Sequence, residues 1–184
     1  GIMAFVGDSS KMFVAPSNQF VDLRRIAMLT QDTLFLLSPV NISQNLNLVQ
    51  GVISNTSSAM LTLNNENVLS NLGSAQSHVD GVMQIQMANN SSSRRTLHFP
   101  LAKNGDYRPV LLEVAHTNNT SYTYRGEVIL GNANDLGYAL PLDVTHVSLV
   151  RHWKMERFQT NNMSLQPSAN LRTQPSNRPQ ITLY

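Results

Sequence analysis

SHVDGVMQIQMANNSSSRRTLHFPLAKNGDYRPVLLEV, residues 77–114, sets the reading of the whole chain. His78-Val79-Asp80-Gly81 is a turn that leads into an alternating segment from Val82, with Gln84 and Gln86 on one side of it. Asn89 to Ser93 is a polar loop, and Leu97 to Leu101 is a short strand. Ala102-Lys103-Asn104-Gly105-Asp106 closes it in a tight turn before Tyr107-Arg108-Pro109 and the apolar run Val110, Leu111, Leu112, Val114. Asn-Gly between two β-type runs predicts a hairpin, because both central residues of such a turn need positive φ.

Upstream the chain moves in short steps. Apolar pairs fall at Leu34/Leu36, Val40/Ile42 and Leu46/Leu48, and Val52 and Leu61/Leu63 continue them. Within a pair the spacing of two puts both side chains on one face of a strand. Between pairs stand turn-forming groups: Ser38-Pro39, Ser43-Gln44-Asn45, Gln50-Gly51 and Asn64 to Asn67. Short strands with polar corners predict a β-solenoid, whose stacked coils bury the pairs inward. A meander of short antiparallel strands is the competing arrangement. Before this region, Phe5-Val6 and Met12-Phe13-Val14 read as two short strands about Gly7-Asp8-Ser9-Ser10. Gly7-Asp8-Ser9 echoes a serine-esterase block but lacks the residues that would follow it, so it reads as a turn.

Downstream the strands lengthen. Ser121 to Leu130 reads as a strand rich in β-branched and aromatic residues. Val144 to Phe158 reads as another, with Val147, Leu149, Arg151, Trp153 and Met155 on one face. Helix finds little support; Asn67 to Ala75, interrupted by Gly73, and a turn near Asn134-Asp135-Leu136 are the best places for it. From Gln159 the chain turns Asn-, Gln-, Ser- and Pro-rich, as in a linker or a surface-wrapping arm. Ile181-Thr182-Leu183-Tyr184 would begin a further strand or pair with an open sheet edge, here or on a neighbour. The expected fold is therefore all-β: a short β-solenoid-like region over 1–76, a β-sandwich-like region over 77–158, and an extended arm over 159–184.

The motif residues also carry a resemblance. Val79-Asp80-Gly81 followed by Phe99-Pro100-Leu101-Ala102-Lys103-Asn104-Gly105-Asp106-Tyr107-Arg108-Pro109-Val110 resembles a β-rich repeat or stalk module of large secreted and cell-surface proteins of Bacteroidetes. That family usually has Gly where Ala102 stands and often Pro where Val82 stands. The Leu-x-Leu steps from Leu34 and the Val147 to Lys154 segment are similar to its flanks, so the likeness covers about residues 30–157. The resemblance implies an extracellular or cell-surface location, and no particular chemistry. It also implies a signal upstream and a sorting domain downstream, with Gly1-Ile2-Met3 a mature or engineered start.

Composition narrows the function classes. The charged fraction is 13%, against about 25% in soluble domains, and polarity comes from Asn, Ser, Thr and Gln instead. Net charge is only +2, and Arg24-Arg25 and Arg94-Arg95 are pairs rather than tracts, which argues against a nucleic-acid partner. The absence of Cys excludes disulfides, thiol catalysis and Cys-ligated zinc. No apolar run approaches the ~20 residues of a membrane-spanning helix.

No catalytic constellation stands out, and no cofactor or metal is expected. The five histidines, His78, His98, His116, His146 and His152, show no ligand spacing. His146 and His152 would share a strand face but lie nearly 20 Å apart. Asp80, Asp106, Asp135 and Asp143 stand at turns or strand ends, yet no local stretch supplies the oxygens that calcium needs. Glycosidase chemistry would need two of Glu113, Glu127 and Glu156 across a cleft. Tyr107-Arg108-Pro109 reads as structural: Tyr fills a hairpin face, Arg ties the turn or a carboxylate and Pro blocks an edge donor. Phe99, Pro100, Lys103 and Gly105 belong to the same structural motif. Tyr122, Tyr124 and Trp153 are candidates for stacking on sugar rings, although strand aromatics are more often core. Asp32-Thr33-Leu34 resembles a short O-glycosylation pattern of Bacteroidetes, which makes Thr33 a glycosylation candidate.

The expectation is a non-enzymatic stalk, spacer or fibre subunit, partnered by its own copies or by neighbouring domains. The rivals are a carbohydrate-binding module with glycan partners, a polysaccharide lyase on a β-helix, and a viral or phage attachment domain.

Overall fold

The computed structural model describes residues 2–15, 20–87, 94–115, 121–139, 142, 146–159 and 180–183. The strands are β1 (Ile2–Gly7), β2 (Lys11–Phe13), β3 (Val21–Leu36), β4 (Val40–Ser54), β5 (Leu61–Leu63), β6 (Ser77–Asp80) and β7 (Val82–Met87). They continue with β8 (Arg95–Phe99), β9 (Leu101–Lys103), β10 (Asp106–Tyr107), β11 (Val110–Val114), β12 (Tyr122–Leu130), β13 (Arg151–Gln159) and β14 (Gln180–Leu183). Among the described residues a short 3-10 helix, Ala133–Leu136, falls at the turn expected near Asn134. Among the described residues no helix is long and apolar enough to cross a membrane. The fold is all-β, with a β-solenoid-like arrangement of about four turns and further sheets.

The solenoid is built by parallel pairing in sequence order. β1 and β2 lie on β3, β3 on β4, β4 on both β5 and β6, β5 on β7, and β6 on β9. In-register apolar residues form columns through the coils. One column is Val21, Val40, Leu61, Met83; a second is Leu23, Ile42, Leu63, Ile85. A third is Leu34, Ile53, Val79, Leu101, all fully buried. Parallel strands turn one face to the coil interior, where stacked Val, Ile, Leu and Met side chains pack on one another. Leu34/Leu36, Val40/Ile42 and Leu46/Leu48 all point inward, as their spacing predicts. They are successive sides of a coil, not successive coils. Coil-to-coil partners are much further apart in sequence, as in Val21↔Val40, Ile53↔Val79 and Val79↔Leu101.

Corners are where the two long strands bend. The β3–β4 register slips between Leu23 and Arg25, between Met28 and Leu29, and between Leu29 and Thr33. Such bulges turn a strand and let coils differ in length. Corner polar groups are satisfied by the next coil. Asn55 Oδ1 accepts from Val82 N at 2.7 Å and its Nδ2 donates to Val82 O at 2.9 Å. Asn71 Oδ1 accepts from Leu48 N at 3.2 Å and its Nδ2 donates to Asn47 Oδ1 at 2.6 Å. Gly51, at φ 95°, passes so close to the carbonyls of Thr30 and Asp32 that a Cβ would not fit. The segment Asn67 to Ala75 is accordingly not a helix. Its residues serve this corner instead, through the Leu46↔Leu69 bridge and the paired amides of Ser74 and Ser77.

Parallel stacking continues through residue 76 and on to Ala102. From β7 and β8 onward antiparallel pairing takes over alongside it. β12 pairs with β7 and β13, and β8, β11 and β14 form a separate three-stranded sheet. The two sheets pack face on: Phe99 of β8 and Met155 of β13 both sit within about 3 Å of where a Gly126 Cβ would stand. One hydrophobic cluster runs from Ile26 in the coils to Leu112 and Val128 here. β13 begins at Arg151, shorter than the alternation of Val147 and Leu149 predicts. Ser148 Oγ accepts from the amides of Val150 and Arg151, which ends the ladder there. The expected pairing of Ile181 to Leu183 with a sheet edge is present: β14 lies antiparallel on β11, with Leu112 opposite Ile181.

Candidate functional site

The motif residues converge on one polar clasp between the last coil and the antiparallel strands. Asn104 (φ 54°) and Gly105 (φ 78°) form the expected two-residue turn joining β9 to β10. Asp80, at the end of β6, accepts from Gly105 N at 3.0 Å and so pins this turn to the solenoid. Gly81 (φ 151°) lets the chain leave Asp80 directly over Asn55, where a side chain would collide. Tyr107 Oη donates to Leu72 O at 3.0 Å, and its ring lies 5.7 Å from that of His78. Burial holds the Tyr107 phenol above its ordinary pKa.

Arg108 and Trp153 complete the clasp. Arg108 pairs with Asp106 at 3.3 Å and donates to Tyr107 O at 2.9 Å. Arg151 of β13 binds the same Asp106 carboxylate. Trp153 Nε1 donates to Arg108 O at 3.1 Å while its ring packs on the hydrophobic cluster. Lys103 reaches Glu127 on β12 at 3.7 Å. Phe99 and Pro100 are buried beneath, and Pro109 lies between β10 and β11. Tyr107 thus ties the hairpin to Leu72 and faces His78 of β6, and the Arg108 carbonyl ties it to Trp153 of β13.

The aromatic candidates do not form an exposed plane. Tyr124 is 2% exposed, and burial, opposed by Arg157, raises its phenol to about 12. Tyr122 is half-buried with the Arg157 guanidinium 4.9 Å from its ring centroid. Trp153 is opposite Val128, four positions along β12 from Tyr124. Thr33 lies half-buried within β3, between half-buried Asp32 and buried Leu34.

The titratable groups are dispersed. Among the described residues no three His, Asp or Glu side chains are grouped to hold a metal. His146 precedes β13, so it does not share a strand with His152. His116 and Asp143 lie outside the described residues. His98 is held below its ordinary pKa by burial. Of the three glutamates considered for glycosidase chemistry, Glu113 pairs with Arg94, Glu127 with Lys103, and Glu156 with Arg125 and Lys154.

Sequence reasoning placed Gly51 at a corner but missed the corner residues Thr30, Asn55 and Asn71. Their signal is a polar residue or Gly repeated at the coil offset, as in Asn47 and Asn71 or Gly51 and Ser77. The protein is thus defined by its fold as β-solenoid-like with an antiparallel cap. Neither a protein-family model nor a curated protein nor a solved structure matches the chain.

Proposed function

We propose that this chain is a non-enzymatic structural module, a spacer or stalk element of a secreted or surface-exposed bacterial protein. One observation carries the reading. The motif shared with the Bacteroidetes modules is spent on architecture: Asp80, Gly105, Tyr107, Arg108 and Trp153 each hold one element to another. Stacked coils give a stiff unit, since each rung is fixed by its neighbours along its length. A role as a lectin-like module is the second reading, favoured by the half-buried rings of Trp153 and Tyr122. Binding of the purified chain to a broad glycan and polysaccharide panel separates the two, with Trp153→Ala and Tyr122→Ala run alongside. The structural role expects no saturable binding. Saturable binding lost in either variant, with the variant still folded, would replace it with the lectin reading. Turnover of any polysaccharide in the same panel would overturn the non-enzymatic assignment.

A further inference from the structure

Asn104 is the one asparagine of the chain that glycine follows. That dipeptide is chemically active. The Gly105 amide nitrogen can attack Asn104 Cγ, because glycine has no Cβ to obstruct the approach. The N–Cγ bond forms, the Cγ–Nδ2 bond breaks, and the Gly105 amide proton leaves on ammonia. Water then opens the five-membered imide at either carbonyl, giving aspartate or isoaspartate at position 104. Both residues are exposed, and nothing lies within 4 Å of where a Gly105 Cβ would stand, so water reaches the turn.

Two features of the fold oppose the reaction. Ring closure needs the Gly105 nitrogen on the same side of the Cα–C bond as Asn104 Cβ. Asn104, at φ 54°, is in the left-handed region, whose positive ψ turns that nitrogen to the far side. The Gly105 N–H is also engaged: it donates to Asp80 Oδ2 at 3.0 Å, across 25 positions of sequence. Hydrogen bonds to carboxylates are among the stronger ones. This one fixes the peptide plane and retains the proton that has to leave. We propose that Asn104-Gly105 is a self-modification site and that Asp80 is its guard. Conversion is one-way and acts on the clasp. Isoaspartate adds a methylene to the backbone of a two-residue turn, and either product sets a new carboxylate in the turn that already holds Asp80 and Asp106, where like charges repel. The inference does not depend on the functional reading above.

Incubation of the intact chain at mildly alkaline pH tests this, with peptide mass spectrometry following the exchange of amide for carboxylate at position 104. The native chain is expected to convert slowly. Asp80→Ala is expected to convert roughly tenfold faster or more, the factor to which one hydrogen bond to a charged group corresponds. Asp80→Asn keeps an uncharged acceptor and is expected to fall between the two; it carries the same comparison if Asp80→Ala does not fold. Leu61→Ala weakens the coils without touching the turn, so it is expected to convert at the native rate. After conversion, hydrogen exchange at the Tyr107 and Arg108 amides is expected to rise. Rates at or below the native one in the Asp80 variants would show that the carboxylate is idle or draws off the Gly105 proton as a base. An equal rise in Leu61→Ala would assign the protection to folding as a whole. Either result, or unaltered exchange after conversion, would overturn the proposal.

Discussion

Replacing Gly51 by Ala tests whether the coils are stacked as described. Gly51 adopts φ 95°, and an added Cβ would run into the Thr30 carbonyl and lie 2.7 Å from that of Asp32. Two costs combine. A non-glycine residue in the left-handed region costs about 1–2 kcal/mol. Forcing the β3 and β4 corners apart costs a further ~1–3 kcal/mol, as overpacking does in cores. The expected loss is therefore about 2–5 kcal/mol. Gly105→Ala is the matched control. Gly105 has φ 78°, but nothing lies within 4 Å of its Cβ position, so only the backbone cost applies. That variant is expected to lose about 1 kcal/mol, part of the strain being offset by a less flexible unfolded chain. Urea unfolding followed through the single tryptophan, Trp153, measures both. In a chain this long each kcal/mol moves Tm by ~2–4 °C, so thermal melts separate the two variants as well. Equal losses at Gly51 and Gly105 would show that Gly51 is a solvent-facing turn, and would refute the parallel stacking of β3 on β4.

Other positions give independent readouts. Asn55→Ala strips both hydrogen bonds from the Val82 peptide; about 1–3 kcal/mol per buried unsatisfied group is the expected loss by urea unfolding, and a neutral result would remove the corner bridge. Leu61→Ala empties the middle of the column Val40, Leu61, Met83 and is expected to cost about 2–5 kcal/mol, whereas a loss below that of a surface Leu would contradict its burial. Tyr124 keeps its proton to about 12 when folded, above the ~10 of an unfolded tyrosine. Below pH 10 this group adds no pH dependence. Between 10 and 12 the unfolded state sheds the proton first, so stability falls as pH rises. Tyr124→Phe is expected to flatten that decline by up to ~3 kcal/mol; an unchanged slope in stability measured from pH 9 to 12 would place Tyr124 in solvent.

What could be read from the sequence divides along the range of the interactions involved. The Asn104-Gly105 turn was legible because a two-residue hairpin imposes its own backbone requirement, whatever packs on it. The inward pairs were legible for the same reason, since a spacing of two fixes the face of a strand. The coil repeat was not. Leu34 meets Ile53, Ile53 meets Val79, and Val79 meets Leu101, at three different separations. Each coil absorbs its extra residues at solvent-facing corners, so stacking imposes a spatial period without a fixed sequence period. β13 failed in the opposite direction. Its alternation extends back to Val147, but a side-chain hydroxyl, Ser148, competes for the Val150 and Arg151 amides.

The clasp follows the same logic and explains why the motif reads as architecture. Its residues are far apart in sequence: Asp80 with Gly105, Leu72 with Tyr107, Arg108 with Trp153. A turn residue alone would satisfy the local demand at Asn104-Gly105. Asp80, Tyr107, Arg108 and Trp153 are instead matched to partners that arrive only when the parallel coils and the antiparallel strands are both in place. The Asp80–Gly105 and Tyr107–Leu72 bonds are exposed, but removing the Trp153 donor leaves the part-buried Arg108 carbonyl without a hydrogen bond, which costs more than the bond itself contributes. The joint between the two regimes is therefore enforced by polar groups, while the columns on either side are held by apolar ones. Trp153→Phe separates these contributions, since it keeps the ring in the hydrophobic cluster and deletes only the donor to Arg108 O. It is expected to cost about 1–3 kcal/mol, the penalty of an orphaned carbonyl, and to increase hydrogen exchange at Arg108 and Tyr107 ahead of the solenoid amides. Uniform loss of protection across β3, β4 and β12 would show instead that the joint and the coils unfold as one unit.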